Sequence, residues 1–355
     1  MRLWTKIKIN IMSQKHQANE TTVLVLALTI TLGLVGCVFW WLAKNGLTSN
    51  ITNNPSSQVV SKGDTFAQVP KVPPGLFSYG GSTTWAPIRR EVDPLIQTAQ
   101  PQFRLRYTDP ITGAPGTASG IKMLLNNQLA FSHGSRSIKQ EEYQQAQQLN
   151  ITLKEIPVAI DGIAIAVNPN LNIPGLTLAQ LKDIYTGKIT NWKQVKGPEL
   201  AIIPYSRRLE EGGTIQFFEE NVLDKEKFAA NVQFIPTTTQ ALQEVASNRG
   251  GIYYASAPEI VGQCTVKPLP LGRKSDQLVP PYKEPFIPLE QCPQQRNQIN
   301  AAAFQGGEYP ITRRLFVIVK QNGQSDQQAG EAYVNLLQTD QGQELITKAG
   351  FVTIR

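Results

Sequence analysis

Residues 75–84, GLFSYGGSTT, run from an apolar strand pattern directly into a turn of glycines and hydroxylated side chains. A helical pattern at Pro87–Ala99 follows at once. The same order, strand pattern then helix pattern, recurs within 103–126, 163–185 and 201–222. Because strand followed by helix, repeated along a chain, is typical of layered α/β proteins, the sequence predicts an α/β fold.

The chain from Gly75 to Arg355 is too long for one ordinary compact core, so two lobes are expected. We expect the chain to cross between them near 160–168 and to return near 250–256. A further helix is expected at 327–349, ending near Gly350. The expected division is lobe 1 at about 75–158 plus 258–355, and lobe 2 at about 159–257.

The N-terminal residues predict a membrane anchor. Thr22–Ala43 contains no charged residue, and about 20 apolar residues suffice to cross a bilayer as a helix. Residues 1–21 should stay cytoplasmic by the positive-inside bias, and the main domain should lie in the periplasm or outside the cell. The basic residues of this N-terminus are Arg2, Lys6, Lys8 and Lys15.

Two fates of the apolar segment stay open. Leu34–Cys37 reads as a lipobox, which would leave a lipoprotein anchored through Cys37. The apolar run continues past Cys37 to Trp40 and Trp41, which favours an uncleaved transmembrane anchor with these rings at the outer interface. Residues 44–74 are polar and low in large apolar side chains, and are expected to form a flexible tether.

Charge and cysteine content narrow the class of protein. The net charge is +7, part of it in the N-terminal segment, and the remainder fits an anion-binding surface. Cys264 and Cys292 could form one disulfide in an oxidising compartment or remain free thiols. His16 and His133 are distant in sequence from these cysteines, so no metal site is expected, and no cofactor or nucleic-acid partner is expected.

Three turns place small and hydroxylated residues where a helix should begin. Backbone N–H groups at a helix N-terminus lack partners within the helix and attract an oxyanion. A single Ser or Thr in such a turn is more often only an N-cap, but three turns in one chain favour an anion site. The turns are Tyr79–Thr84, Gly116–Ile121 and Glu210–Thr214.

In their order, these motifs resemble the phosphate-binding (PstS-like) family of periplasmic solute-binding proteins of ABC transporters. The resemblance covers nearly all of the chain from Gly75 onward and implies a type II-like periplasmic-binding-protein fold. The stretches that carry it are Gly81–Pro87, Ser119–Lys122, Phe131–Arg136 and Arg208–Thr214, with further similarity at Asp161–Pro169, Leu178–Trp192 and Gly250–Tyr254.

The resemblance implies an anion held between the two lobes, with Arg208 supplying positive charge. Taken without the family match, Arg208 could equally form a surface ion pair with Glu210 or Glu211. The residues that the resemblance places at the anion are Ser82, Thr83, Thr84, Ser119, Gly120, Ser135, Arg136, Arg208, Gly212, Gly213 and Thr214.

The chain departs from the family pattern in two places. Ser135 stands where the family commonly has an Asp that accepts a proton from phosphate, so preference for phosphate over sulfate stays open. Residues 210–213, EEGG, replace the usual Gly-Ser-Gly and lose one hydroxyl donor.

The sequence favours a binding protein over an enzyme. We find no Ser-His-Asp grouping, metal-ligand cluster or paired carboxylates in a motif context. The expected function is extracytoplasmic binding of inorganic phosphate, or a related tetrahedral oxyanion, for an ABC importer permease or a sensor partner. The alternative is an interaction or signalling ectodomain that kept the fold but lost or changed its ligand.

Overall fold

Strand β4, Leu153–Val167, belongs to both lobes. Its first part pairs antiparallel with β11, Thr312–Lys320, and its last part pairs antiparallel with β8, Gly251–Ser256. The change of partner falls between Gly162 and Ile163. The first crossing therefore lies within the predicted region 160–168.

The structure is a computed structural model that describes residues 64–208 and 212–354. The predicted cytoplasmic N-terminus, the membrane anchor at 22–43 and most of the tether lie outside the described residues. Within the described part, no helix is long and apolar enough to cross a membrane. Residues 63–355 form one compact unit.

One continuous sheet runs through both lobes in the order β2-β1-β3-β11-β4-β8-β6-β7, and β9 also pairs with β4. Strands β1, β2 and β3 are parallel, as are β6, β7 and β8. Strands β5 and β10 form a separate pair. The other strand bounds are β1 Gly75–Gly81, β2 Phe103–Tyr107, β3 Phe131–Gly134, β5 Leu176–Thr177, β6 Ile203–Ser206, β7 Gln233–Phe234, β9 Lys267–Leu269 and β10 Leu271–Gly272.

Helices follow the strands as the sequence pattern predicts, which confirms the α/β fold with two lobes. The expected C-terminal helix is divided in two, because Thr339 begins a new helix and its Oγ1 accepts a hydrogen bond from Gly342 N at 3.0 Å. The helix bounds are α1 Ala86–Ala99, α2 Thr117–Leu125, α3 Gln140–Gln148, α4 Leu178–Tyr185, α5 Gly213–Asn221, α6 Thr238–Ser247, α7 Ala257–Ile260, α8 Ala301–Gln305, α9 Ser325–Leu337 and α10 Asp340–Lys348.

The structure divides the chain between the lobes differently from the expectation at residues 258–311. Buried side chains of this segment, such as Ile260 and Tyr309, pack in the same core as Ile163 and Trp192 of lobe 2. The Tyr309 hydroxyl also donates to the Ile163 carbonyl at 2.9 Å. Strand β8 pairs inside lobe 2, so the chain returns to lobe 1 where β11 begins.

A disulfide closes part of this additional segment of lobe 2. Cys264 and Cys292 are bonded, with their Cα atoms 5.6 Å apart and a sequence separation of 28. A cross-link of this span restricts the unfolded chain and thereby stabilises the folded state. It holds together a stretch that has little regular secondary structure.

Aromatic side chains fill the core of lobe 1 beneath the first turn. The His133 ring is buried and stacks on Trp85 with centroids 3.9 Å apart. Burial keeps the pKa of His133 well below its ordinary value, so the ring is neutral. Tyr79 and Tyr333 pack beside it, and both hydroxyls donate to the carboxylate of Asp93.

Asp93 should make lobe 1 less stable as the pH rises. Burial raises the pKa of Asp93 from 3.8 to about 6, although the bonds from Tyr79 and Tyr333 oppose this. Between these values the folded protein binds a proton that the unfolded chain has released, so the free energy of unfolding falls with rising pH.

We therefore expect the stability advantage of the wild type over Asp93→Asn to shrink from pH 4 to pH 7. Urea denaturation of both proteins at several pH values measures this. A difference in unfolding free energy that stays constant across the range would contradict the assignment.

Candidate functional site

The N-terminus of α5, in lobe 2, lies against lobe 1, and its first residue, Gly213, makes the tightest contact. A Cβ atom added to Gly213 would stand 2.5 Å from Ser135 Oγ and 3.0 Å from Thr117 Oγ1. At Gly116, an added Cβ would stand 3.6 Å from Gly212 Cα. The lobes therefore meet at backbone distance, with the two helix N-termini of α2 and α5 on opposite sides of the cleft.

Two buried hydroxyls mark the lobe 1 side of this contact. Ser135 follows β3, and its backbone N–H donates to Thr117 Oγ1 at 3.1 Å. The two hydroxyl oxygens are 3.3 Å apart. Since the Thr117 oxygen already accepts a hydrogen bond, its own hydrogen remains available to a neighbouring acceptor.

The turn after β1 brings two further side chains to the cleft. Ser82 is buried, and its backbone N–H donates to the His133 carbonyl at 2.9 Å, which fixes the turn. Its side chain makes no N-cap hydrogen bond. Thr84 reaches across the cleft, with its Oγ1 3.5 Å from Thr214 Oγ1 on α5. Thr83 points outward and is exposed.

Arg313 on β11 lies at the floor of the cleft and contacts both lobes. Its Nε and Nη2 donate to Asp161 Oδ2 at 3.0 and 2.8 Å. Nη2 also donates to Thr214 Oγ1 at 2.8 Å and to Thr84 Oγ1 at 3.2 Å. Both charged side chains are almost completely buried.

The second carboxylate oxygen of Asp161 also accepts a hydrogen bond. Ser256 Oγ donates to Asp161 Oδ1 at 2.6 Å. Burial raises the pKa of Asp161, while the positive charge of Arg313 and the bond from Ser256 act in the opposite direction. The ion pair joins β11 to β4 at the point where the chain passes between the lobes.

Several predicted site residues have other roles in the structure. Ser119 caps its own helix, since its Oγ accepts from Gly116 N at 2.8 Å. Gly120 packs α2 against β1, because an added Cβ would stand 2.6 Å from Gly81 Cα. Arg136 forms a two-fold ion pair with Glu142 at 2.7 and 2.9 Å. These three residues stabilise the elements on which the site is built.

Arg208 lies outside the group that meets at the cleft. Its side chain is exposed, and its guanidinium carbon is 5.8 Å from the centre of the Phe234 ring. The alternative ion pair of Arg208 with Glu210 or Glu211 falls on residues outside the described part. The structure thus brings together Thr84, Ser135, Gly212, Gly213 and Thr214 from the predicted set, and Ser82 lies buried in the turn before Thr84.

Sequence reasoning missed Thr117 and Arg313. Thr117 lies in the turn Gly116–Ile121, two residues before Ser119. The turn was predicted to contact an anion, but Ser119 rather than Thr117 was chosen as the contacting side chain. Arg313 lies in a plain strand pattern without glycines, where no local signal separates it from the exposed Arg314. In the described ranges 64–208 and 212–354, no group of acidic, histidine and cysteine side chains could hold a metal ion.

Comparison with known proteins identifies the family. The family model for the PBP superfamily domain matches residues 68–341. The phosphate-binding protein PstS of Staphylococcus aureus strain RF122 is 30% identical over 266 residues, which cover 74% of this chain and 75% of that protein. The chain belongs to the PstS-like family of solute-binding proteins. A PstS of Staphylococcus epidermidis strain RP62A is 28% identical over 267 residues, with the same coverage.

Solved structures share the PstS-like fold. A Clostridium perfringens protein, described as a candidate phosphate ABC transporter substrate-binding protein with bound phosphate, has a TM-score of 0.62 and 24% identity; the match covers 79% of this chain and 100% of that one. An ABC-type phosphate transport receptor from Vibrio cholerae has a TM-score of 0.59 and 20% identity, covering 78% and 99%.

Gly213→Ala should hold the lobes apart. The added methyl group would meet Ser135 Oγ and Thr117 Oγ1, and overpacking of this kind costs about 1–3 kcal/mol in the closed arrangement. We expect a larger radius of gyration in small-angle X-ray scattering, with little change in thermal stability.

Gly262→Ala serves as the matched control, because its added Cβ would have Asn297 O as nearest neighbour at 3.8 Å. Scattering curves that coincide for the two variants would show that the glycine contact does not govern closure.

Proposed function

We propose that this PstS-like protein binds inorganic phosphate, or a related tetrahedral oxyanion, between its two lobes and delivers it to an ABC importer. The observation that carries the proposal is the meeting of hydroxyl and backbone donors from both lobes in one buried place. Thr84, Thr117 and Ser135 come from lobe 1, and Gly213 and Thr214 come from lobe 2.

The chemistry of this group suits an oxyanion with several equivalent oxygens. The N-termini of α2 and α5 face each other, and each has backbone N–H groups without partners in its own helix. The helix dipoles add positive potential at the same place. Hydroxyl groups add donors without adding charge, and Ser82 completes the lobe 1 side.

Closure follows from the division of donors between lobes. An anion that touches only Thr84 and Ser135 gains part of its hydrogen bonds, and the remainder form when α5 approaches. A ligand shifts a conformational equilibrium by the difference in its affinity for the two states. Binding therefore favours the closed arrangement, which an importer can distinguish from the open one.

We include Arg208 as a proposed ligand on the strength of the family resemblance. It follows β6 at the edge of the cleft and would have to leave Phe234 to reach the anion. Arg136 and Ser119 would act through the residues they support. A guanidinium at the edge also attracts anions over several ångströms.

Selectivity for phosphate would rest on hydroxyl groups. Ser135 occupies the position where the family resemblance expects a carboxylate, and a hydroxyl can accept a hydrogen bond from a protonated phosphate oxygen but can also donate one to sulfate. Weak discrimination between the two anions is therefore part of the proposal.

The names of the relatives support the proposed partner. Proteins named phosphate-binding protein PstS and phosphate transport receptor support an importer permease as partner. We propose that the domain lies outside the cytoplasmic membrane, tethered through residues 22–43 or through lipid on Cys37. We also propose that the protein has no catalytic activity, because binding a solute and delivering it to an importer requires no chemical reaction.

Calorimetric titration with phosphate and sulfate tests the proposal. Phosphate should bind with measurable heat, and Thr214→Val should weaken binding roughly 10- to 100-fold, because a hydrogen bond to a charged group contributes about 1.5–3 kcal/mol. Thr347→Val is the control, since its hydroxyl donates within its own helix to Gln343 O at 3.0 Å.

Arg208→Ala reports separately on the proposed edge ligand. A folded wild-type protein that gives no heat with any tetrahedral oxyanion would refute the proposed function. Equal affinity in the wild type and Thr214→Val would place the anion elsewhere.

A further inference from the structure

Arg313 lies on the strand pair that joins the two lobes. It lies on β11, directly opposite Asp161 of β4 in the antiparallel register. This strand pair joins the lobes, and the chain has just returned from lobe 2 at Ile311. A side chain at this place can contact both lobes without belonging to the surface of either.

The guanidinium group is fixed before any ligand arrives. Nε and Nη2 both donate to Asp161 Oδ2, and Ser256 holds the other carboxylate oxygen. Arg313 is 5% exposed and Asp161 is 1% exposed, so neither side chain has room to reorient. A planar donor held in this way presents its remaining N–H groups in defined directions.

One nitrogen of this group joins hydroxyls from opposite lobes. Nη2 donates to Thr214 Oγ1 of lobe 2 at 2.8 Å and to Thr84 Oγ1 of lobe 1 at 3.2 Å. A hydroxyl oxygen that accepts from a cation directs its own hydrogen elsewhere. The two oxygens are 3.5 Å apart, within reach of a long hydrogen bond to each other, and a single anion placed beside them can accept from both hydroxyls instead.

We propose that Arg313 is a positioning residue that turns the hydroxyls of Thr84 and Thr214 into donors for the bound anion and so couples binding to closure. This inference rests on the proposed function. Nη2 can contact both threonines only when the lobes are together, and the anion needs both hydroxyls. The contacts of Nη2 with the two threonines and the binding of the anion therefore both favour the closed arrangement of the lobes.

The ion pair of Arg313 with Asp161 has almost no net charge. Its positive charge is balanced by the carboxylate, so Arg313 acts mainly through orientation. Its Nη1 is buried and has no hydrogen-bond partner within residues 64–208 and 212–354. The arrangement thus differs from the exposed Arg208, whose proposed role is direct contact with the anion.

The test is a double-mutant cycle in the full-length chain, with inorganic phosphate as the titrant. Arg313→Lys keeps a positive charge opposite Asp161 but loses the fork that reaches both hydroxyls. We expect the Kd for phosphate to rise about 10-fold or more. Arg314→Lys is the matched control on the same strand, with an exposed side chain, and should change Kd by less than about two-fold.

The coupling with the two threonines separates positioning from a purely structural role. Adding Arg313→Lys to the variant that carries both Thr84→Val and Thr214→Val should weaken binding by less than about two-fold beyond that variant alone, since both hydroxyls to be oriented are already absent. Losses that multiply across the cycle would overturn the proposal. So would a folded Arg313→Lys protein whose affinity matches the wild type.

A second variant covers the case in which Arg313→Lys does not fold. Arg313→Gln combined with Asp161→Asn leaves no unbalanced buried charge, so folding should survive. It should show the same loss of phosphate affinity, and unchanged affinity would overturn the proposal. A folded wild type that binds no oxyanion refutes the proposed function itself, which distinguishes that failure from failure of the Arg313 assignment.

Discussion

The ion pair of Arg313 with Asp161 connects the strand pair that joins the two lobes to the residues that meet in the cleft. It joins β11 to β4 inside the protein, where burying two charges is tolerated only because each is paired and hydrogen-bonded. On one side it is anchored by Ser256, and on the other it reaches Thr84 and Thr214. The β11–β4 strand pair that joins the lobes and the cleft between the lobes are therefore connected by one hydrogen-bond network.

Local patterns were sufficient to predict the α/β fold and the turns that meet at the cleft. Each predicted helix beginning coincides with a turn of small residues, because glycine and hydroxyl side chains satisfy helix N-termini and allow close backbone approach. Gly213 shows both effects, since it opens α5 and touches Ser135. The family resemblance, rather than these patterns, led to the expectation that Thr84, Ser135 and Thr214 lie at the anion, while Ser119 is a cap in the structure.

Long-range features could not be predicted in this way. Residues 258–311 join lobe 2 through scattered apolar side chains, and the disulfide cross-links the segment internally; the segment lacks the strand and helix periodicity that marks the other elements. Arg313 differs from Arg314 only by the face of β11 on which it lies, and its role depends on Asp161, 152 residues away in sequence. Such contacts are set by tertiary packing, which local sequence does not encode.

The most direct measurement is a crystal structure of this PstS-like protein grown with phosphate. The account predicts tetrahedral density between the lobes, within hydrogen-bond distance of Thr84, Ser135 and Thr214, with Arg313 still bonded to Asp161 behind the two threonines. Phosphate bound at a different surface, or held by one lobe alone with Arg313 turned away from Thr84 and Thr214, would contradict it.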